Sequence, residues 1–160
     1  MRALDRYNLA LALLLALLLW LNQRPAQEPP PILDIEASQV RTIRVMQEHR
    51  LRLSLAREHA GWRLAYPDMG PASTRRVDGL LSLLQARSYW VSEAPPASLH
   101  IYGLQSPALS VHIDQHRLDF GDASQAAGQR YVLLNDKVHL IDENYYRIAG
   151  LPASHFRKQP

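Results

Sequence analysis

The amino-acid sequence predicts an α+β fold, in which an N-terminal transmembrane helix precedes a β-rich domain of two similar antiparallel β-meander units with one main amphipathic helix. Three observations support this prediction. Consecutive apolar residues run without a break from Leu9 to Leu21. Two later regions alternate apolar and polar residues with the period of two that is typical of strands. Between them, one segment has apolar residues at the spacing i, i+3, i+4, i+7 of an amphipathic helix.

The apolar block predicts a signal anchor over residues 1–23, with Arg2 and Arg6 in the cytoplasm. At about 1.5 Å per residue the block covers about 20 Å of a hydrocarbon core about 30 Å thick, so flanking residues must complete the span. A cleaved signal peptide also suits this length, although Arg24 lies where a cleavage site before Gln27 needs a small residue. A buried core helix is the third interpretation. The predicted anchor residues are Leu9, Leu13, Leu17, Trp20 and Leu21.

A proline-rich linker is predicted over residues 24–37, ahead of an exported domain over 38–160. Four of the eleven prolines lie between Arg24 and Pro31, and three of them are consecutive. Such a run favours an extended polyproline conformation, which makes a stiff spacer. The linker is therefore expected to hold the domain away from the membrane surface.

The first β region predicts a meander of three strands. Turns are expected at Glu48-His49 and over 58–61, where charged residues and Gly61 interrupt the alternation. The alternation leaves an apolar face and a charged face, so one side of this sheet should be covered. The apolar positions are Ile43 and Val45 in the first strand, Leu51, Leu53 and Leu55 in the second, and Trp62, Leu64 and Tyr66 in the third.

The amphipathic helix is predicted over residues 74–86, with Ser73 as its N-cap. Its apolar stripe should cover the sheet. A short strand at residues 89–91 follows, and then a helical turn over 97–102 that ends at Gly103. The residues of the apolar stripe are Val77, Leu80, Leu81 and Leu84.

The second β region predicts another meander, with turns at Gln115-His116, over 122–128 and at Asn135-Asp136, and a closing helix over 143–148. It resembles the first region at an offset of 67 residues, since His49-Arg50-Leu51 matches His116-Arg117-Leu118. We therefore predict two units of similar plan. The apolar strand positions are Leu109, Val111 and Ile113, then Leu118 and Phe120, and then Tyr131 and Leu133 paired with Val138 and Leu140.

Composition and motifs argue against several classes of function. The chain has no cysteine, which excludes thiolate metal sites and cysteine nucleophiles. Its net charge is +3, but acidic residues are interleaved with the arginines, so nucleic-acid binding is not favoured. There is no phosphate-binding glycine loop, no nucleophile elbow and no His-Glu-x-x-His motif. His112 and His116 fall on a strand and its turn rather than on one helical face, so no metal site is predicted.

The order of short motifs resembles the DUF4340 family of domains of unknown function over residues 38–156. The matching segments include Gly61-Trp62-Arg63-Leu64, Tyr102-Gly103-Leu104, Phe120-Gly121 and Arg130-Tyr131-Val132. These motifs are structural, and the resemblance implies a membrane-anchored bacterial envelope protein, as in auxiliary components of gliding-motility-type transporters. The structural motif residues are Trp62, Tyr102, Gly103, Pro107, Gly121, Gly128 and Tyr131.

These features together predict a non-enzymatic, membrane-anchored accessory or interaction protein, without catalytic, metal or cofactor residues. The resemblance implies that it is a component of an envelope or ABC-transporter-type membrane complex. We expect it in the bacterial inner membrane as a single-pass protein, with the C-terminal domain in the periplasm. Its expected partners are the lipid bilayer, through the N-terminal helix, and another membrane protein. Two alternatives stay open: an exported module that binds a small ligand in a groove between the two units, and an enzyme of unrecognised type.

Overall fold

The computed structural model describes residues 3–22, 29–93, 95–125 and 128–159. The predicted N-terminal helix is present as α1, Ala3–Asn22, and the side chains of Leu13, Leu17 and Trp20 are each more than half exposed. Within these described residues, no helix is both long and apolar enough to cross a membrane. The prediction that α1 is a transmembrane span is therefore not supported. Residues 24–28 of the predicted linker lie outside the described residues.

The strands of the domain form a single antiparallel sheet, in the order β4-β3-β2-β1-β6-β7-β8-β9-β5. Its centre is the pair β1 and β6, where Ile43 lies opposite Ile113 and Val45 opposite Val111. These four side chains are buried, because this face of the sheet is covered. The strands are β1 (Thr42–Gln47), β2 (Arg50–Glu58), β3 (Gly61–Tyr66), β4 (Gly70–Pro71), β5 (Trp90–Glu93), β6 (Leu109–Ile113), β7 (His116–Ala123), β8 (Gln129–Leu134) and β9 (Lys137–Asp142).

The two predicted meanders are the two halves of this sheet. Each half runs through three hairpin-connected strands into a fourth strand and a helix: β4 is followed by α2 (Thr74–Leu81), and β9 by α3 (Asn144–Ala149). Gly61 and Gly128, which are 67 residues apart in the sequence, both have positive φ, of 118° and 79°. The order of elements and these two glycines follow the repeat that the sequence suggested, but the halves share one sheet rather than forming separate units.

The hairpin turns agree closely with the predicted ones. Asn135 and Asp136 both have positive φ, as a two-residue turn between twisted strands requires. The pairing across this turn is also confirmed, because Tyr131 lies opposite Leu140 and Leu133 opposite Val138. The turn before β7 differs, since β7 already begins at His116 and Asp114 has the positive φ. This turn therefore lies one residue earlier than predicted.

Helices cover one face of the sheet, called here the inner face. The predicted amphipathic helix is confirmed as α2 and a 3-10 continuation, Ser82–Gln85, and Val77, Leu80 and Leu81 are buried. Ser73 occupies the N-cap position, but its side chain makes no capping hydrogen bond, so its predicted role as a side-chain cap is wrong. Instead, its backbone N–H donates to the carbonyl of Phe156 at 2.9 Å, which fixes the helix start to the C-terminal segment.

The described part of the predicted linker packs on the domain. Pro31 forms a β-bridge with Arg87, and the Ile32 N–H donates to the Ala86 carbonyl at 2.8 Å. Leu33 belongs to the buried core. Residues 29–37 are therefore part of the folded domain rather than a free spacer. Prolines beside an edge strand also limit pairing with other chains, because they have no N–H to donate.

Candidate functional site

Three aromatic rings meet on the outer face of the sheet, which is opposite the helices. Trp90 comes from β5, Tyr131 from β8, and Tyr102 from a 3-10 helix, Pro96–Tyr102, that lies on this face. The ring centroids of Tyr102 and Tyr131 are 5.0 Å apart, and Trp90 lies 6.1 Å from Tyr102 and 6.4 Å from Tyr131. These separations and tilted geometries are favourable for aromatic pairs. We call these three residues the aromatic cluster.

Two glycines allow the 3-10 helix to lie this close to the sheet. Gly103 ends the helix with φ 67°, and a Cβ at this position would lie 2.4 Å from the Asp122 side chain. A Cβ on Gly121 would lie 2.1 Å from the carbonyl oxygen of Tyr102. At Gly121 the nearby atom belongs to the backbone, so the backbones of the helix end and β7 are in close contact there, while the positive φ of Gly103 favours glycine at the helix end.

The structure brings together four of the predicted structural motif residues, namely Tyr102, Gly103, Gly121 and Tyr131. Trp62 lies elsewhere, in the core, with the guanidinium of Arg57 4.7 Å above its ring. Pro107 is buried just before β6, and Gly128 lies just before β8. The predicted end of the helical turn at Gly103 is confirmed, and Gly103 has a left-handed backbone conformation.

The aromatic cluster is partly open to solvent. Trp90 is 41% exposed, and Ile101, the neighbour of Tyr102 in the chain, is 65% exposed. Sequence reasoning placed Trp90 in a strand but did not connect it with Tyr102 and Tyr131. The connection depends on β5 pairing with β9, where Trp90 lies opposite Leu140, and no local pattern in the sequence signals that pairing.

This part of the chain matches the model of a protein family. The model of DUF4340, described as a domain of unknown function, covers residues 62–159, which include the whole aromatic cluster. The chain belongs to the DUF4340 family. No curated protein and no solved structure matches the chain.

The DUF4340 region also carries a polar pair on the outer face of β6 and β7. Ser110 and Asp119 lie opposite each other and are both buried, and the Ser110 hydroxyl donates to Asp119 Oδ1 at 2.5 Å. The same oxygen accepts from Arg117 Nε at 2.8 Å. A buried carboxylate is stable only when it is paired in this way. This arrangement links the neighbouring strands β6 and β7.

The two histidines considered for metal binding face opposite sides of the sheet. His112 lies opposite Arg117 on the outer face, whereas His116 lies opposite the buried Ile113. In the part of the DUF4340 chain that the structure describes, no three histidine, aspartate or glutamate side chains are grouped so as to hold a metal ion.

Partial burial of two histidines makes the domain sensitive to acid. Burial lowers the pKa of His112, and the positive charges of Arg117 and Arg44 lower it further against the opposing effect of Asp119. Burial and Lys137 likewise lower the pKa of His139. Below about pH 6.5 the unfolded chain takes up protons that the folded domain resists. The contribution of the neutral His112 and His139 to the free energy of unfolding is therefore complete above that pH and is lost as the pH falls.

We expect the melting temperature of the wild-type protein to fall between pH 7.5 and 5.5 more than that of a His112→Gln/His139→Gln variant. Thermal unfolding followed by circular dichroism at several pH values measures the difference. His59→Gln, which changes an exposed turn residue, is the control. Equal pH dependence of the melting temperature in the wild type and the double variant would contradict the assignment of the acid sensitivity to His112 and His139.

Proposed function

We propose that the protein is a membrane-associated accessory protein on the periplasmic side of a bacterial inner membrane, and that its domain binds a membrane-protein partner through the aromatic cluster. The observation that carries the proposal is that Trp90, which packs on Tyr102, is partly exposed, as is Ile101, the neighbour of Tyr102 in the chain. The proposal concerns a binding role and involves no catalytic step.

The composition of this surface supports protein binding. Tryptophan and tyrosine are enriched among the residues that contribute most to the free energy of binding at protein interfaces. In this domain Tyr102 and Tyr131 already pack against Trp90, and the contact between Gly103 and the β7 strand fixes the helix that carries Tyr102. A surface that is ordered before binding loses little conformational entropy when a partner arrives.

The N-terminal helix supports membrane association. The leucines of α1 whose exposure is described are all more than half exposed, and they occur on every side of the helix. An apolar helix without a polar face is costly in water and is stabilised by lipid or by another apolar surface. In the sequence, Arg2 and Arg6 precede the apolar block Leu9 to Leu21, and basic residues of this kind are usually retained in the cytoplasm, which favours a periplasmic domain.

We expect a photo-crosslinking amino acid at Ile101 to link the full-length protein to one specific membrane protein in intact cells. The adduct should be found in the membrane fraction, where mass spectrometry identifies the partner. Adding Trp90→Ala to this crosslinking variant should reduce the adduct about tenfold or more, since truncating a central aromatic residue typically costs about 2 kcal/mol or more of binding free energy.

The matched control is Tyr66→Ala, which removes a 43% exposed aromatic residue from β3, far from the aromatic cluster in the sheet. This variant should give the wild-type yield of the same adduct. If Trp90→Ala also gives the wild-type yield, the aromatic cluster is not the binding surface. Recovery of the wild-type protein in the soluble fraction would contradict membrane association.

A further inference from the structure

A polar cleft of about 370 Å³ lies between the segment that follows α2 and the beginning of α3. This volume is at the lower end of the range for small-molecule sites. The described residues that line the cleft all present polar or aromatic groups, and none is aliphatic. They are Gln85, Arg87, Tyr89, Asp142, Asn144 and Tyr145.

The surrounding fold holds the Asp142 carboxylate and the backbone of Tyr89 in place. Asp142 Oδ1 accepts a hydrogen bond from the Asn144 N–H at 2.7 Å, which orients the carboxylate at the end of β9. The Tyr89 N–H donates to the Leu140 carbonyl at 2.8 Å, which fixes the chain just before β5. The Tyr89 side chain is nevertheless 63% exposed, so a ligand can reach its ring.

Asp142, Tyr89 and Arg87 line the cleft together with Tyr145. Burial raises the pKa of Tyr145, the nearby Asp142 and Tyr89 raise it further, and Arg87 opposes them. Such effects require the groups to lie close to one another. The hydroxyl therefore stays protonated at neutral pH and can both donate and accept a hydrogen bond towards the cleft.

The charges and chemical groups of the cleft define the ligand class. Arg87 and Asp142 carry opposite charges, so the pair does not favour an anion or a cation. A lining without aliphatic residues does not suit a lipid chain. Amide, carboxylate, guanidinium and phenol groups together match a ligand with many hydroxyls, each of which both donates and accepts. The exposed ring of Tyr89 offers a flat face against which the C–H groups of a sugar ring can pack.

We infer that this cleft binds a neutral sugar. Tyr89 stacks on the sugar ring, while Asp142, Gln85 and Tyr145 hydrogen-bond its hydroxyls. The site is separate from the aromatic cluster, because none of Trp90, Tyr102 and Tyr131 is among the described residues that line the cleft. Sugar binding therefore does not depend on the proposed partner binding.

Saturation-transfer difference NMR on the full-length protein tests this inference. The protein is held in a zwitterionic detergent, because maltoside detergents are themselves sugars. The probes are di-N-acetylchitobiose and maltose, each added at up to about 10 mM to detect weak binding. We expect saturation of the ring protons of at least one probe, and at least a fivefold weaker signal with Tyr89→Ala.

Gln85→Ala changes an exposed lining residue with little risk to folding and should also weaken the signal. Tyr66→Ala removes an exposed tyrosine outside the cleft and should leave it unchanged. Absence of saturation with both sugars, or equal signals for the wild type and both cleft variants, would overturn the inference. These outcomes are independent of the crosslinking result at Ile101.

Discussion

Gly121→Ala is expected to destabilise the domain by about 3 kcal/mol, at the upper end of the range for overpacking substitutions. The added Cβ would lie 2.1 Å from the Tyr102 carbonyl oxygen and 2.9 Å from Leu104 Cγ. The first of these atoms belongs to the backbone, so no change of rotamer can relieve the clash. The 3-10 helix would have to move away from β7, and the packing of Tyr102 on Trp90 and Tyr131 would be disturbed.

Urea unfolding of the full-length protein in detergent micelles, followed by tryptophan fluorescence, measures this loss as a change in midpoint at constant slope. Gly79→Ala is the matched control, because the same methyl group in α2 would lie 3.9 Å from Ile148 Cγ2, an ordinary contact. Alanine is favoured over glycine inside a helix by about 1 kcal/mol, so this variant should be as stable as the wild type or more stable. If both variants behave alike, the close contact at Gly121 is not a determinant of stability.

Local signals explain why most elements could be predicted from the sequence. Period-two alternation marks the strands, and Asn135-Asp136 is the kind of residue pair that adopts positive φ in a hairpin turn. These signals act within one hairpin or one helix. They were sufficient for the pairing of Tyr131 with Leu140 and for the extent of α2 with its 3-10 continuation.

The side of β8 that faces the core could not be predicted from the sequence pattern. Tyr131 to Leu134 are all apolar, so alternation alone does not tell which side faces the core. The structure buries Val132 and Leu134 among the core residues and turns Tyr131 to the outer face. Both sides are apolar because both are covered, the inner one by helices and the outer one by the 3-10 helix.

The two candidate sites could not be predicted because they join distant segments. The aromatic cluster and the polar cleft both need β5 to lie beside β9, and these strands are more than 40 residues apart in the chain. The position of β5 follows from the packing of the whole sheet. The contact of segment 85–89 with Asp142 and Tyr145 therefore depends on the arrangement of the whole sheet.

Arg130 connects the sheet with the helical layer, so removing its side chain is expected to reduce the stability of the domain strongly. Its Nε donates to Glu143 Oε2 at 2.7 Å and its Nη2 to Glu143 Oε1 at 3.1 Å, while Nη1 donates to the Gly121 carbonyl. The guanidinium also lies 3.8 Å from the centre of the Tyr146 ring in α3. The Arg130 and Glu143 side chains are only 16% and 17% exposed, so solvent screens this pair weakly.

Arg130→Ala is expected to cost about 3 kcal/mol, because it leaves the Glu143 carboxylate and the Gly121 carbonyl without their partner in a poorly solvated place. The surface pair Arg63 and Glu58 is the matched control, since their atoms are 3.4 Å apart and both side chains are about half exposed. Arg63→Ala should cost about 1 kcal/mol or less.

A double-mutant cycle separates the pair from its surroundings. Glu143→Gln alone should also destabilise, because it leaves a largely buried guanidinium without its charge partner, whereas Arg130→Ala/Glu143→Gln should cost less than the sum of the single changes. The coupling in that cycle should exceed the coupling between Arg63 and Glu58 measured in the same way. Equal coupling at the two sites would mean that burial does not strengthen the Arg130 contact.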